Sequence, residues 1–173
     1  MMNCRIWFSA AVVSAAGIVP ALAQSLPDAI AAKGETIVLI VHAEGAQVYD
    51  CKAGGGGKLS WQFREPVATL IQDGKTVGRH YVGPTWEHVD GSRIVGIVIG
   101  SVAKAIAPAS GPGPKDIPWL KLEVVEARGG GALASVTAIQ RINTQGGQID
   151  GACEKAGATL AAPYAADYVF LKK

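Results

Sequence analysis

Short runs rich in Val, Ile, Leu, Thr and aromatic residues follow one another from Thr36 onward, and glycines or Asp-Gly pairs separate them. This spacing is typical of β-strands joined by tight turns. Helical periodicity is nearly missing, and only residues 27–33, with a proline early and Gly34 as a stop signal, predict a short N-terminal helix. Sequential hairpins make a mostly antiparallel sheet that must close or stack. The pattern therefore predicts an all-β fold, either a barrel or a two-sheet sandwich.

Alternation within single runs predicts which side chains are buried. In residues 59–64, period two places Leu59, Trp61 and Phe63 together on the core face. After Trp119 the same rule turns three side chains inward: Leu120, Leu122 and Val124. Residues 37–41 and 94–99 are apolar on both faces, which predicts central strands that are covered on each side.

Turn signals predict the connections between these strands. Glycine accepts the positive φ of tight hairpin turns, and it follows Glu44, Asp73 and Asp90 between strand candidates. The glycines at 129–131 predict a fourth hairpin. The proline-rich residues 103–117 predict a long exposed loop, and residues 144–163 predict a second irregular stretch.

Residues 1–23 have the layout of a secretory signal peptide, with Arg5 near the start, an apolar run, and a small-residue site that ends at Ala23. The alternative is a membrane anchor, but the apolar run stops at Pro20, short of the roughly 20 residues that a span requires. We expect the leader to be removed. Residues 24–173 would then form a single all-β domain without a membrane span, exported to the periplasm or outside the cell.

The cysteines support the same compartment. Without the leader two remain, Cys51 and Cys153, and an even pair in an exported protein predicts a disulfide. Two free thiols or a metal pair are the alternatives, although no Cys-x-x-Cys spacing supports metal or redox chemistry. A bridge between these positions would tie the start of the domain to its end.

Composition excludes some partners. Charged residues make up 17% of the chain and apolar residues 49%, so the chain has enough apolar surface for a packed core. The formal net charge is only +2, whereas nucleic-acid binding requires a dense basic face. We therefore expect no nucleic-acid partner.

Several strings in a fixed order resemble a family of exported bacterial and fungal proteins known as domain of unknown function 3455. The resemblance covers about residues 37–170, and it implies no activity and no functional residues. The strings are GAQVYDC at 45–51, GRHYVGPTWE at 78–87, DGS at 90–92, IPWL at 117–120, IQRINT at 139–144 and PYAADY at 163–168.

The densest polar cluster comprises His80, Glu87, His88 and Asp90, which raises the question of a metal site or an acid/base pair. In a regular strand Glu87 and His88 point to opposite faces, so only His80, His88 and Asp90 could converge. No His-x-His spacing strengthens the idea. We expect no metal and no cofactor, and a hairpin whose histidines bond locally or face solvent.

Aromatic side chains beside turns are the other candidate for a site, since they bind sugars or apolar ligands by stacking. Trp86, next to a predicted turn, is the best candidate for an exposed one, and Tyr81, His80 and His88 lie near it in sequence. Arg141 and Asp167 are a further possible pair, with a structural role. The leading hypothesis is a non-enzymatic module that binds a small molecule, glycan or envelope component through the surface formed by Tyr81, Trp86, His88 and His80.

Two alternatives belong to other classes of protein. One is an enzyme, hydrolytic or metal-dependent, that uses His80, His88 and Asp90. The other is a purely structural envelope protein, which would lack a concave site. The sequence leaves the ligand and the oligomeric state open.

Overall fold

A computed structural model describes residues 26–103 and 111–173. The described residues form eight antiparallel strands that close into a barrel, in which each strand pairs with the next and the last pairs with the first. The all-β expectation is confirmed, and of its two forms the barrel is the one observed. The strands are β1 Thr36–Ala53, β2 Leu59–Gln72, β3 Lys75–Tyr81, β4 Thr85–His88, β5 Arg93–Val102, β6 Trp119–Arg128, β7 Ala138–Gly146 and β8 Thr159–Lys172.

The connections alternate between the two ends of the barrel because every strand is antiparallel to its neighbours. We call the end that carries the β2–β3, β4–β5 and β6–β7 connections the packed end. The opposite end carries the β1–β2, β3–β4, β5–β6 and β7–β8 connections, and we call it the open end. A short 3₁₀ turn, Gly55–Gly57, lies in the β1–β2 connection at the open end.

The main core fills the barrel toward the packed end. Leu133 and Val136, from the β6–β7 connection, are buried and close this end. They pack with large inward-facing side chains from several strands: Leu70, Trp86, Ile94, Leu122, Ile139, Tyr168 and Phe170. Leu122 is buried, Leu120 and Val124 are half-buried and Glu123 is exposed, as the alternation predicts for β6. The same alternation places Lys121 in solvent, and this part of the prediction was wrong because the Lys121 side chain is only 14% exposed.

Two strands were predicted to be covered on both faces, but only their inner faces are covered. Ile37 and Ile40 of β1 and Ile97 and Ile99 of β5 are about half exposed or more, at 60%, 49%, 50% and 55%. In a closed barrel only the inner face has a guaranteed cover, so apolar residues on the outer face reach solvent. The prediction of strands covered on each side was therefore wrong.

The strand face that contains Trp61 was also predicted to lie in the core. Trp61 and Leu59 are half-buried, and Phe63 is 55% exposed. These residues belong to the first half of β2, which runs from the open end. Their inward face therefore meets a less densely filled part of the interior.

Three of the four predicted turns are confirmed. Asp73 and Gly74 join β2 to β3 with φ of 50° and 72°, Gly91 lies between β4 and β5, and residues 129–131 follow β6. The fourth prediction, a turn at Glu44 and Gly45, was wrong because Gly45 lies within β1. A Cβ at Gly45 would lie 2.0 Å from the Val67 carbonyl oxygen, so this glycine permits close strand packing rather than a turn.

The helix predicted at residues 27–33 is a hydrogen-bonded turn in which the Ile30 amide donates to the Pro27 carbonyl at 2.9 Å. A single turn is too short to offset the cost of helix nucleation, and packing against the sheet fixes this segment instead. Ile30 is fully buried, and its carbonyl accepts a hydrogen bond from the Gln140 amide on β7. Lys121 donates to the Ala31 carbonyl, and the N-terminal segment therefore covers outer-face residues of β6 and β7.

Cys51 and Cys153 form a disulfide, as predicted, with Cα atoms 5.9 Å apart and a sequence separation of 102. The bridge joins the end of β1 to the irregular segment at 147–158, which occupies most of the stretch predicted to be irregular. The predicted leader lies outside the described residues, as do residues 104–110 of the proline-rich loop. In the part of the chain that the structure describes, none of the helical segments has the length and apolarity to cross a bilayer.

Candidate functional site in the barrel interior

A cavity of about 690 Å³ occupies the interior toward the open end. Typical small-molecule sites have volumes of about 300 to 1,000 Å³, so the cavity is of ligand-binding size. Three open-end connections contribute to its wall through residues 82–84, 117–118 and 148–150. The strands contribute inward-facing side chains, among them Gln47, Tyr49, Trp61, Phe63, His80, Trp86, Val98, Leu120, Arg141 and Tyr168.

His80 and Trp86 form an aromatic stack in the wall of this cavity. Their strands place them directly opposite each other, and the rings lie 4.3 Å apart at an angle of 14°. Tyr168 contacts both rings edge-on, with centroids 5.1 Å from His80 and 5.4 Å from Trp86. Edge-on contacts of this kind match the charge distribution of aromatic rings, so the three side chains fix one another's orientation.

His80 is held as a neutral imidazole. Its Nδ1 lies 2.8 Å from the Thr85 carbonyl oxygen, which can only accept, so Nδ1 carries the proton and Nε2 does not. Burial, with a smaller contribution from the positive charge of Arg141, lowers the pKa of His80 to about 3 against the opposing effect of the Thr85 hydrogen bond. An imidazole with this pKa is a weak proton acceptor at neutral pH.

Arg141 brings a cation into the interior. It lies on β7, pairs in register with Tyr168, and donates to the Pro118 carbonyl from Nε and Nη2 at 3.1 and 2.9 Å. Within the described residues no carboxylate oxygen lies within 4.0 Å of its guanidinium, whereas Arg64, also in the cavity wall, pairs with Asp50 and Glu65. The described residues therefore include no carboxylate in contact with Arg141 that would balance its charge.

Two neutral donors in the same wall have no partner. The Gln47 amide nitrogen and the Trp86 indole nitrogen are buried and make no hydrogen bond of good geometry, and the two residues are only 2% and 1% exposed. The Gln47 side chain nevertheless lies close enough to the Tyr164 hydroxyl to lower the pKa of that phenol. A buried donor without a partner costs about 1 to 3 kcal/mol. Groups of this kind are often explained by a ligand that accepts from them.

Two tyrosines lie beside this polar region. The hydroxyls of Tyr164 and Tyr168 are 3.4 Å apart in the interior. Burial raises the pKa of both phenols, and Arg141 opposes that effect in each case. Both hydroxyls are therefore neutral at physiological pH and add polar groups without negative charge.

Large apolar side chains line the mouth of the cavity, beside the exposed charged side chains of Arg64 and Asp150. Phe63, Val82 and Val98 line it and are 55%, 54% and 53% exposed. Phe63 packs edge-on against Tyr49, with ring centroids 5.8 Å apart. The cavity thus changes from apolar and accessible side chains at its mouth to buried polar and aromatic side chains inside.

The disulfide holds one wall of the cavity in place. The 147–158 segment supplies Gln148, Ile149 and Asp150 to the wall. The Tyr49 hydroxyl donates to the Gly147 carbonyl at 2.7 Å, and the Trp61 amide donates to the Gly151 carbonyl at 3.1 Å. Because Cys153 follows directly, its bridge to Cys51 anchors the segment against β1 and β2.

The four residues predicted to form a binding surface do not lie together. His80 and Trp86 line the cavity, and Trp86 is 1% exposed, so the expectation that it is the best exposed aromatic was wrong. Alternation along β3 turns the neighbouring Tyr81 to the outside, where its hydroxyl donates to Glu87 at 2.7 Å. Arg79 lies over the Tyr81 ring at 5.0 Å.

His88 and Asp90 lie at the packed end, away from the cavity wall. Asp90 accepts hydrogen bonds from the Ser92 amide and hydroxyl and from the Ala132 amide, and it contacts His88 at 2.9 Å. The Ser92 hydroxyl and the two amides hold the pKa of Asp90 well below its usual range. This carboxylate joins the β4–β5 turn to the β6–β7 connection. Across residues 26–103 and 111–173, no three His, Cys, Asp or Glu side chains are grouped so that they could hold a metal ion.

The predicted pair of Arg141 and Asp167 does not form. Asp167 accepts from Asn143 at 2.8 Å and contacts the His42 ring at 2.8 Å. In the β7–β8 register Arg141 stands opposite Tyr168, and Asp167 stands opposite Ile142. The two side chains therefore lie on opposite faces of the sheet, so that part of the sequence interpretation was wrong.

Arg141 and Gln47 were missed as site residues, although the sequence contains a signal for each. Val41, Ala43, Gly45 and Gln47 share one face of β1, and Gln47 is the polar member of this small or apolar series. Arg141 shares the face of Ile139 in the same way. A polar residue that alternation places on an inner face marks a candidate site in a barrel.

A family model described as "Protein of unknown function (DUF3455)" matches residues 31–172. Neither a curated protein nor a solved structure gives a significant match to the chain. The family resemblance read from the ordered strings is thereby confirmed.

Proposed function

The chain belongs to the DUF3455 family of proteins of unknown function, and we propose from its cavity that it is an exported binding protein that takes a small, largely apolar molecule into the open end of its barrel. One observation carries the proposal. A cavity of about 690 Å³ has large apolar side chains at its mouth and an aromatic interior with buried donors that lack partners. Concave, mainly apolar walls with a few polar groups are typical of small-molecule sites.

Export is supported by the disulfide and by the signal-like leader. Bridges of this kind persist in oxidising compartments and are rare in the cytosol. The Cys51–Cys153 bridge closes a loop with a separation of 102 residues and anchors a cavity wall. Activity in an oxidising compartment is therefore consistent with the way in which the site is held together.

Binding is favoured over catalysis by the state of the groups in the cavity. His80 donates its Nδ1 proton to a backbone carbonyl, and its low pKa makes it a poor general base. His88 and Asp90, its partners in the enzyme hypothesis, lie in a hydrogen-bonded turn at the packed end. The side chains of the described cavity wall are therefore better suited to binding and orienting a molecule than to transferring a proton.

The proposal is tested by blocking the cavity. Leu120 lines it from β6, and Val125 on the same strand is 55% exposed and outside it. Isothermal titration calorimetry would measure binding of 1-decanol and decanoate to the oxidised protein, to Leu120→Trp and to the matched control Val125→Trp. We expect binding to the parent and to the control, and loss of binding in Leu120→Trp because the larger ring fills the cavity.

Two results would overturn the proposed function. One is that neither compound binds to a folded parent protein. The other is equal binding by Leu120→Trp and Val125→Trp, which would place the site elsewhere. Cellobiose serves as the polar comparison, and stronger binding of this sugar than of either decyl compound would replace the apolar ligand with a glycan.

A further inference from the structure

The donors in the cavity point to the charge of the ligand. Arg141 is a cation without a carboxylate contact among the described residues, and it uses two of its N–H groups on the Pro118 carbonyl. A guanidinium carries five N–H groups, and Arg141 also acts on the Tyr168 hydroxyl, so the N–H groups that remain are left for a ligand. Gln47 and Trp86 add two buried nitrogen donors without partners. Both unpartnered nitrogens are donors, and a ligand that satisfies them must present an acceptor.

Among the described residues of the cavity wall, no second cation without a carboxylate partner calls for a more highly charged ligand. Burial keeps His80 neutral, and the cation of Arg64 is already paired with Asp50 and Glu65. Asp150, the carboxylate in the wall, is exposed and accepts from Gln148. One unbalanced guanidinium matches one negative charge, and its planar fork matches a carboxylate.

Burial along the cavity gives the orientation of such a ligand. Gln47, His80, Trp86 and Tyr168 are at most 2% exposed, and Phe63, Val82 and Val98 at the mouth are more than half exposed. Tyr168 contacts the His80 and Trp86 rings and stands opposite Arg141, so these groups belong to one interior region. A charged head fits the buried donors, and an apolar body fits the mouth.

We propose that the cavity binds an amphipathic monocarboxylate, with its carboxylate on Arg141, Gln47 and Trp86 and its apolar body against Phe63, Val82 and Val98. This inference rests on the proposed function, since it names the ligand class of the same site. Arg141 supplies the counter-ion, while the neutral donors fix the head. The aromatic stack of His80 and Trp86 provides a rigid surface for the carbon chain near the head.

The test compares two probes with the same carbon skeleton, decanoate and 1-decanol, by calorimetry at neutral pH. Charge-assisted hydrogen bonds should make decanoate bind about tenfold or more tightly than 1-decanol in the parent protein. Arg141→Gln should lower that ratio to about one. Arg79→Gln, which removes an exposed arginine paired with Glu87 outside the cavity, should leave the ratio unchanged.

The ratio of the two affinities distinguishes a loss of the Arg141 charge from a structural effect of the substitution. If Arg141→Gln merely loosens the contact with Pro118, both probes weaken together and the preference for decanoate survives, which would contradict the inference. Arg141→Lys serves as a second variant in case the first does not fold, because it keeps the charge without the fork. It should retain part of the preference, and an unchanged or abolished preference in a folded Arg141→Lys protein would contradict the proposed role of the guanidinium.

The remaining outcomes distinguish the inference from the proposed function. Equal binding of the two probes in the parent, with both blocked by Leu120→Trp, overturns the carboxylate and leaves the binding function in place. Tighter binding of decyl phosphate than of decanoate replaces the carboxylate with a phosphate. If neither decanoate nor 1-decanol binds, the proposed function and this inference are both wrong.

Discussion

The packed end and the open end of the barrel are formed by the same eight strands, but the interior between those strands differs. At the packed end, Leu133 and Val136 close the barrel over buried side chains such as Phe170 and Ile94. At the open end the inward positions carry Gln47, Arg141 and half-exposed aromatic residues around a cavity of about 690 Å³. The strands alternate in the same way at both ends, and the ends differ in the residues on the inner face and in the β6–β7 connection that covers one of them.

This difference separates stability from binding. Close packing of apolar side chains stabilises the packed end in proportion to the surface it buries. The unpartnered Gln47 and Trp86 nitrogens instead lower stability, and the open end requires a covalent bridge to hold its 147–158 wall. We infer that the packed end maintains the fold, which allows the open end to keep polar groups for a ligand.

The largest effect is expected from removal of the disulfide by the double substitution Cys51→Ala and Cys153→Ala. A bridge that closes a loop of this length contributes about 4 to 5 kcal/mol on the chain-entropy model. Urea denaturation measures that loss. Hydrogen exchange should then rise most in the 147–158 segment, since the bridge anchors it, and least near Leu133. Equal increases at both ends would contradict the separation between them.

A matched pair of truncations compares the two ends directly. Phe170→Ala at the packed end removes a fully buried ring and should lower the free energy of unfolding by about 3 to 5 kcal/mol. Phe63→Ala at the mouth removes a ring that is 55% exposed and should lower it by about 1 kcal/mol. Binding of decanoate should weaken more in Phe63→Ala than in Phe170→Ala, because only Phe63 lines the cavity. Similar losses of stability in both variants would show that the mouth is part of the core.

A smaller effect is expected from His80 as the pH falls. Burial keeps its pKa at about 3 in the folded protein, below the value of about 6.5 in an unfolded chain. Between these values the unfolded state binds more protons, so His80 lowers stability as the pH falls below 6.5. From pH 7 to 5 the loss should be about 2 kcal/mol.

The control for this pH effect is His80→Asn, which can still donate to the Thr85 carbonyl but does not titrate. Its urea midpoint should change less than that of the parent between the same two pH values. Identical pH dependence in the two proteins would mean that His80 is charged or accessible in the folded state. That result would contradict the burial of His80 in its aromatic stack with Trp86.

Local rules predicted the elements of this fold well. The turn at Asp73 and Gly74 was predictable because both residues adopt positive φ there, which few residues accept. The same rule failed at Gly45, where the glycine is required by the close approach of Val67 rather than by a turn. The sequence cannot distinguish these two uses of glycine, because the neighbouring strand is remote along the chain.

The candidate site was less predictable because it depends on how the sheet closes. Proximity to a turn indicated exposure for Trp86, but barrel closure turned it inward against His80 and Tyr168. Apolar residues on both faces of β5 indicated a doubly covered strand, yet Ile97 and Ile99 face solvent. Arg141 was recognised only as a partner for Asp167. Its place on the same face as Ile139 marks it as inward-facing, but the local pattern does not show that the closed barrel leaves a cavity beside it.

Chemical-shift mapping by NMR tests most directly whether the open end is the binding site. The uniformly ¹⁵N-labelled, oxidised protein would be titrated with decanoate while backbone, indole and guanidinium signals are followed. We expect concentration-dependent shifts at Gln47, the Trp86 indole, Arg141 and Phe63, with Ser92 and Leu133 at the packed end unchanged. Shifts confined to the packed end or the outer face, or no shifts in a folded protein, would contradict it.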